Sequence, residues 1–339
     1  MFLIKWLLKL VFKLFFLVIF LALIVLAIFN WPVRGENKNM EFNVSFSNLF
    51  AKQLGLDWQE AYQAILNDLR PNKLRIAAYW SEIEKKPGQY DFSDLDWQIE
   101  TAQDKNTDII LAFGQKTPRW PECHIPEFYW DEKGKREEAL LAFERVLVER
   151  YKHYDNVKVW QVENEPFLPF GYCPEPTISE ELVDREIALV RSIDGNRPIM
   201  VTDSGEISLW YKAAGRSDIF GTTMYKTIYK EPFGYFSYPI GPNFFRLKAL
   251  FVKFFAKQDN VIICELQAEP WGPRQIYDMK DDIEEQYRSM NPEKLRSMAQ
   301  FARRTNFSES YLWGAEWWYF LKVQKNDSEM WETAEEIIN

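Results

Sequence analysis

The stretch that decides the fold is residues 157–166, which read VKVWQVENEP. Apolar, β-prone residues fill its first half, as in a strand buried within a sheet. The second half ends in Asn164-Glu165-Pro166, and proline, which has no backbone N–H, ends the strand and forces a turn. A carboxylate therefore stands where a strand stops, which is where α/β barrels carry their functional groups.

The same unit of strand followed by helix recurs along the chain from about Glu41, with no change in composition that would mark a second domain. We predict eight strands, over residues 42–47, 74–80, 108–114, 158–162, 198–202, 218–224, 261–264 and 310–314. We predict helices over residues 58–69, 95–104, 136–154, 179–193, 209–214, 244–257, 292–305 and 328–338. Eight alternations predict the α/β class and a (β/α)8 TIM barrel. The alternative, an open doubly wound sheet, lacks its Gly-rich phosphate loop here.

One apolar segment precedes the barrel. From Leu14 to Val33 the chain has twenty residues without a charge, enough to cross a hydrocarbon core of about 30 Å as a helix. Lys5, Lys9 and Lys13 come before it, and only Arg34 follows closely. Because basic residues stay on the cytoplasmic side, we expect a single-pass signal-anchor in the cell membrane with the remainder outside the cytoplasm.

Two other interpretations of this segment stay open. A cleaved signal peptide usually has a shorter apolar region and a small-x-small cleavage site, which does not precede Trp31-Pro32. A buried core helix would carry some polar residues, and none interrupts this run. We therefore place a cytoplasmic stub and transmembrane helix in residues 1–35 and a barrel domain in residues 36–339.

Charge and composition limit the partners. Without the four basic residues of positions 1–34, the chain has 37 basic and 50 acidic residues, a net charge of −13. Nucleic acid is not an expected partner, because it is bound by clustered Lys and Arg. The only histidines are His124 and His153, and no CxxC is present, so we predict no metal site and no cofactor.

Two of the three cysteines lie in proline-bracketed loops. Cys123 stands in WPECHIP after the third predicted strand, and Cys173 in FGYCPEP after the fourth. They can pair in an oxidising compartment or remain two free thiols, because the sequence does not supply their separation. Cys264 ends an apolar run and is expected to be a small buried residue.

Two acidic residues follow predicted strands that are three units apart. Glu165 ends the fourth strand, and Glu265 follows the seventh, 100 residues later. Because about 33 residues is an ordinary length for one βα unit, both are expected at the same level of the barrel. One carboxyl with a raised pKa can protonate a leaving oxygen while the other attacks an anomeric carbon. Such a pair cleaves glycosidic bonds without a metal.

Three segments resemble the clan A glycoside hydrolases, the retaining barrel glycosidases that include families 5, 10, 39 and 42. They are WQVENEP, VIICELQAEPW and LRIAAYWSEIEKKPGQYDF, the last at residues 74–92. The resemblance, which covers about residues 40–325, implies that Glu165 is the acid/base and Glu265 the nucleophile. It also implies that Asn164 binds the 2-hydroxyl of the sugar.

Three more residues take roles from the same resemblance. Tyr225, after the sixth strand, would hydrogen-bond the nucleophile, and Arg75, on the second strand, would lie beneath it. Trp313, on the eighth strand, would form an apolar platform for the sugar. Each of the three also has an alternative without a role in the site. Arg75 can form a salt bridge on the outside of the barrel, and Tyr225 and Trp313 can be ordinary core residues.

Two further glutamates compete with the assigned pair. Glu163 lies on the same face as Glu165 if strand alternation continues, although in the family the acid directly follows an asparagine. Glu269 lies four residues beyond Glu265, in a loop, and is expected to contact substrate. Trp120, with other aromatic residues in the loops after strands, is expected to line a sugar-binding cleft.

The sequence therefore predicts a membrane-anchored retaining glycosidase that acts on a β-linked glycan outside the cytoplasm. A catalytically silent glycan-binding barrel and a transglycosylase of the cell envelope are the alternatives. Neither the sugar nor the linkage follows from the strand ends, because loop shapes decide them.

Overall fold

The computed structural model describes residues 2–175 and 177–339, with side chains from Trp6 onward. Its strands are β1 (Glu41–Phe46), β2 (Lys73–Ala77), β3 (Glu84–Lys86), β4 (Gln89–Tyr90), β5 (Asp108–Phe113), β6 (Val157–Val162), β7 (Ile199–Asp203), β8 (Ile219–Met224), β9 (Thr227–Lys230), β10 (Gly234–Ser237), β11 (Val261–Gln267) and β12 (Glu309–Trp313). Eight of them close a parallel barrel in the order β1-β12-β11-β8-β7-β6-β5-β2. The predicted (β/α)8 barrel is confirmed. The other four strands form two hairpins, β3 with β4 and β9 with β10.

One α-helix precedes the barrel strands, and the others lie between and after them. They are α1 (Phe2–Phe29), α2 (Asn48–Gln53), α3 (Trp58–Ala64), α4 (Trp80–Ile83), α5 (Ser93–Asp104), α6 (Lys133–Tyr151), α7 (Glu180–Ile193), α8 (Tyr211–Ala214), α9 (Pro242–Phe255), α10 (Ile283–Tyr287), α11 (Pro292–Arg303), α12 (Ala315–Gln324) and α13 (Glu329–Ile338). Several begin at a side-chain cap, as α3 does at Asp57, whose carboxylate accepts from the backbone N–H groups of Gln59 and Glu60.

Several elements differ from the sequence prediction. Strand β2 ends at Ala77, because a helical turn begins at Trp80. The helix that begins at Trp58 changes to a π-helical turn over Ile65–Leu69. Helix α12 was not predicted, because its buried residues are nearly consecutive, over 315–318 and at Phe320 and Leu321, and leave no clear helical period. Strand β11 continues three residues past its predicted end and so includes Glu265.

Two separate apolar clusters form the core. The larger cluster lies between the outer faces of the strands and the surrounding helices. The smaller cluster lies inside the barrel and takes its residues from five strands; it consists of Ile110, Val159, Met200, Ile262, Cys264 and Tyr311. Above this inner layer the inward side chains become polar, beginning with Arg75 and Gln161, which are hydrogen-bonded to each other. The polar part of the barrel interior is where the candidate site lies.

Helix α1 is the one helix in the described residues that is long and apolar enough to cross a membrane. Its apolar window, Trp6–Phe29, has a mean hydropathy of 3.1 and is not buried against the barrel. Only its last turn contacts the barrel domain, where the Asn243 side chain donates to the Ile28 carbonyl at 2.8 Å. The helix is compatible with a membrane anchor or with a signal sequence.

Candidate active site

A bulge in β11 turns Glu265 into the barrel. Ile263 pairs with Thr222 of β8, and Glu265 pairs with the next residue, Thr223, so that Cys264 is left as the extra residue. Strict alternation from Cys264, which belongs to the inner cluster, would direct Glu265 outward to the helices. The bulge resets the alternation, as bulges near active sites commonly do. Cys264 and Glu265, although consecutive, therefore both face the barrel interior.

Glu265 is held from both sides of its carboxylate. Arg75 donates from Nη1 to Oε1 at 2.9 Å, and the Tyr225 hydroxyl donates to Oε2 at 3.1 Å. The Arg75 and Glu265 side chains are 1% and 7% exposed, so each depends on the other for its charge to be stable inside the protein. Arg75 also donates to Gln161 and to Asn164, at 2.7 and 2.8 Å. Arg75, on β2, is thus hydrogen-bonded to side chains of β6, of the segment just after β6, and of β11.

Glu165 lies in a different electrostatic environment. Its backbone N–H donates to the Thr202 hydroxyl at 2.9 Å, and its carbonyl accepts from Lys116 Nζ at 2.9 Å. Its carboxyl oxygen accepts from the Thr223 hydroxyl at 3.4 Å, a long hydrogen bond. Burial and, after it, the negative charge of Glu265 raise the pKa of Glu165 well above its usual value. Glu165 therefore keeps a proton more readily than an ordinary glutamate, whereas Glu265 is ion-paired with Arg75.

The Asn164 amide has a defined orientation. Its Oδ1 accepts from Arg75 at 2.8 Å and from the Thr202 hydroxyl at 3.1 Å. Its Nδ2 is therefore the end that faces away from the guanidinium, and it donates to Glu122 Oε2 at 3.4 Å. An amide fixed in this way offers an N–H donor beside the two carboxyls.

Glu122 is a third carboxyl of the site, and the sequence analysis did not identify it. It is 8% exposed, and burial raises its pKa to about 7. The charge of Glu265 contributes to this rise. The available signal was an acidic residue next to Cys123 in the proline-bracketed loop after β5.

The loop that carries Glu122 is tied to the next loop by a disulfide. Cys123 and Cys173 are bonded, with Cα atoms 5.3 Å apart. The pairing left open by the sequence is therefore present. Cys264 is a buried free thiol, as expected. The bridge connects the segments that follow β5 and β6, and Glu165 lies in the second of these segments.

Glu269 has different hydrogen-bond partners from Glu265. Its Oε1 accepts from Arg119 Nη1 at 2.5 Å, and Arg119 Nη2 donates to Glu316 at 2.8 Å. The Arg119 guanidinium also stacks on the Trp313 ring, 4.0 Å from its centroid. Trp313 is only 7% exposed. Neither Arg119 nor Glu316 was singled out from the sequence.

Glu163 leaves the face that strand alternation would give it. The residue has φ 59°, and its carboxylate accepts from the backbone N–H groups of Gln115 and Lys116, at 3.0 and 2.7 Å. Burial, followed by the charge of Glu186 on α7, raises the pKa of Glu163 well above its usual value. Its neighbours are thus on the helix side of the barrel wall, and it is separate from the catalytic cleft.

Aromatic rings lead from the surface to Glu265. Trp120 and Phe170 are 40% and 39% exposed, and their ring centroids are 6.2 Å apart. Phe170 is 6.2 Å from Trp271, whose ring is 5.2 Å from Tyr225. These four rings belong to loops after β5, β6, β11 and β8. They form a continuous apolar side of the cleft, suitable for the C–H faces of sugar rings.

Solved structures share this fold at low sequence identity. Xylanase 10B from Thermotoga maritima aligns with a TM-score of 0.53 and 16% identity, over 81% of this chain and 83% of that chain. The protein GH5_18 from Bifidobacterium longum aligns with a TM-score of 0.56 and 12% identity, over 81% and 70%. At such identities the likeness establishes the fold.

Sequence relatives and a family description identify the chain more closely. Beta-galactosidase LacZ from Lactobacillus acidophilus is 32% identical over 104 residues, which cover 25% of this chain and 16% of that protein. Beta-galactosidase BgaA from Clostridium cellulovorans is 26% identical over 178 residues, 45% of this chain and 26% of that protein. The chain thus spans about a quarter or less of the length of these relatives. Residues 36–231, more than half of the chain, match the family Cellulase (glycosyl hydrolase family 5). With a closed parallel barrel and paired carboxyls at its strand ends, the chain belongs to glycosyl hydrolase family 5.

Proposed function

We propose that this protein is a membrane-anchored retaining glycosidase that cleaves a β-linked glycan outside the cytoplasmic membrane. The observation that carries the proposal is the unequal environment of two neighbouring carboxyls. Glu265 is paired with the Arg75 guanidinium at 2.9 Å, whereas burial and the charge of Glu265 raise the pKa of Glu165. One group is prepared to attack and the other to donate a proton, which is the division of labour in retaining glycosidases.

The reaction proceeds in two displacements. In the first, a carboxylate oxygen of Glu265 bonds to the anomeric carbon while the bond to the leaving oxygen breaks and Glu165 gives that oxygen its proton. In the second, Glu165 takes a proton from water, and the water oxygen displaces Glu265 from the anomeric carbon. Two inversions at the same carbon return the original configuration.

The groups around the pair have positioning roles. Arg75 and Tyr225 each hold one oxygen of Glu265, so that the carboxylate keeps a single orientation. The Asn164 Nδ2 and the Glu122 carboxyl, 3.4 Å apart, are suited to donate to and accept from one sugar hydroxyl, respectively. Hydrogen bonds to the 2-hydroxyl strengthen at the oxocarbenium-like transition state.

The cleft suggests how the rest of the glycan is bound. The rings of Trp120, Phe170 and Trp271 form a half-exposed path that starts at the surface. Sugar units on one side of the scissile bond can stack on these rings. Glu269 and Trp313 then complete the opposite side of the cleft. The names of the similar proteins, xylanase and beta-galactosidase, support a β-linked substrate.

The location follows from α1. Its apolar length, the lysines that precede it and its exposure in the structure support a single-pass anchor with an extracytoplasmic barrel. The Cys123–Cys173 disulfide is in keeping with an oxidising compartment. Residues 1–35 then form the stub and anchor, and residues 36–339 the catalytic domain.

Replacement of the nucleophile tests the chemistry. The Glu265→Ala variant should lose hydrolysis of an aryl β-glycoside with an activated leaving group, and azide should restore turnover as a glycosyl azide of inverted, α configuration. The Glu269→Ala variant is the matched control, since it removes a nearby carboxyl that is held by Arg119; it should give no azide product. Wild-type rates in the Glu265 variant, or azide rescue in the Glu269 variant alone, would overturn the assignment.

A further inference from the structure

Helix α9 has an apolar face that no part of the described chain covers. Phe245 and Val252 point into the barrel domain and are buried. On the other side Leu250, Phe251 and Phe254 are 61%, 40% and 70% exposed, and Phe255 is 57% exposed. The spacing of these four residues places them on one side of the helix, one turn apart. Such a group of large exposed rings is unusual on a surface in contact with water alone.

The same helix is basic in a chain that is acidic overall. Residues 242–257 contain Arg246, Lys248, Lys253 and Lys257 and no Asp or Glu, while the whole chain has a net charge of −9. Lys253 and Lys257 are exposed; Lys253 lies between Phe251 and Phe254, and Lys257 follows the phenylalanines. An apolar aromatic face bordered by lysines is typical of helices that lie in the interface of an anionic membrane.

The end of α1 is attached to the start of α9. Asn243 donates to the Ile28 carbonyl at 2.8 Å, and Asn30 donates to the Pro239 carbonyl at 2.9 Å. The rings of Phe29 and Phe244 meet edge to face with centroids 4.9 Å apart. Because the apolar window of α1 is not buried, the helix leaves the barrel domain at this point rather than packing along it. A membrane crossed by α1 therefore has its surface at the first turn of α9.

We propose that α9 rests on the membrane in which α1 is anchored, with its Leu250–Phe255 face immersed in the lipid interface. This inference depends on the anchoring that is part of the proposed function. Continuity with the α1 contact, the aromatic content and the basic border favour a lipid surface over a second copy of the chain. The barrel is then held on the membrane by two elements and has one preferred side towards it.

Spin labels on the full-length chain in phosphatidylcholine–phosphatidylglycerol vesicles test the contact. A nitroxide is attached in the Phe254→Cys variant and, separately, in the Leu250→Cys variant, both at exposed positions. The native cysteines do not compete, since Cys264 is buried and the other two are bonded. The Val146→Cys variant, on α6 and 38% exposed, is the matched control on a different side of the barrel.

Power saturation with oxygen and an aqueous nickel complex gives the depth of each label. We expect both α9 labels about 5–10 Å below the lipid phosphates and the Val146 label in water. If all labels are equally accessible to nickel while the chain resists carbonate extraction, the α9 contact is refuted and the anchor stands. If carbonate releases the chain, the anchor fails, and this inference fails with it. Spin–spin broadening among α9 labels, which indicates a second copy at this face, also overturns the proposal.

Discussion

The proton on Glu165 gives the sharpest test of the site. The Glu165→Gln variant keeps the shape of the side chain and removes the acid. General acid catalysis accelerates such reactions by about 100-fold to 10,000-fold. This acceleration corresponds to an activation free energy lower by about 2.7–5.4 kcal/mol. We expect a loss of this size in kcat/KM for substrates whose leaving group needs a proton. Aryl glycosides that leave as stable phenolates should lose much less.

The pH profile adds a second signature to the same variant. Because burial and the charge of Glu265 raise the pKa of Glu165 well above its usual value, the wild-type group keeps its proton to a higher pH than an ordinary glutamate and loses it as the pH rises further. The kcat/KM of the wild type should therefore fall on the alkaline side. The Glu165→Gln variant, which has no proton to lose at this position, should lack that alkaline limb for the activated substrate.

The chain offers a matched control two residues away. Glu163 is also buried, but its carboxylate accepts from the backbone of Gln115 and Lys116 behind the barrel wall. The Glu163→Gln variant should keep both the leaving-group dependence and the alkaline limb of the wild type. The assignment is wrong if steady-state kinetics over a series of aryl glycosides give the acid signature to Glu163 instead.

Three further predictions concern the surroundings of the pair. Burial raises the pKa of Glu122 to about 7, so the Glu122→Gln variant should remove an inflection near neutral pH from the kcat/KM profile; an unchanged profile would contradict its place in the cleft. The disulfide joins cysteines 50 residues apart, and the Cys123→Ser/Cys173→Ser variant should lose about 4 kcal/mol of unfolding free energy, measured by denaturant titration; equal stability would contradict this. Burial raises the pKa of Glu144 to about 8, so the stability that its protonated form contributes is lost as the pH rises towards that value. The melting temperature of the Glu144→Gln variant should therefore exceed that of the wild type by a growing amount between about pH 5 and pH 9. A constant difference in melting temperature would refute this.

Much of the fold could be predicted from local patterns. Alternation of apolar strands with helical repeats located all eight barrel strands to within a few residues, because each pattern depends on neighbours close in sequence. Helix α12 was missed because six of its ten residues are buried at nearly consecutive positions, which weakens the periodic signal. The end of β11 was placed too early, since Glu265 and Gln267 are polar yet remain paired within the barrel.

The candidate site was less predictable, because its partners meet only in the closed barrel. Arg119 and Glu122 come from a loop with no periodic pattern, and they reach the site through the positions of β5 and the disulfide. No property of the sequence around Arg119 indicates that its guanidinium stacks on Trp313, almost 200 residues away.

The sequence by itself determined that a carboxylate ends the fourth strand and another follows the seventh, because these are properties of adjacent residues. Only the tertiary structure decided which way each carboxyl points. Two-residue alternation predicts a face only while pairing is regular, and here it is broken twice. The bulge at Cys264 brings Glu265 inward, and the positive φ of Glu163 turns that residue away from the cleft. Both depend on hydrogen bonds to neighbouring strands and loops, and these form only when the barrel closes.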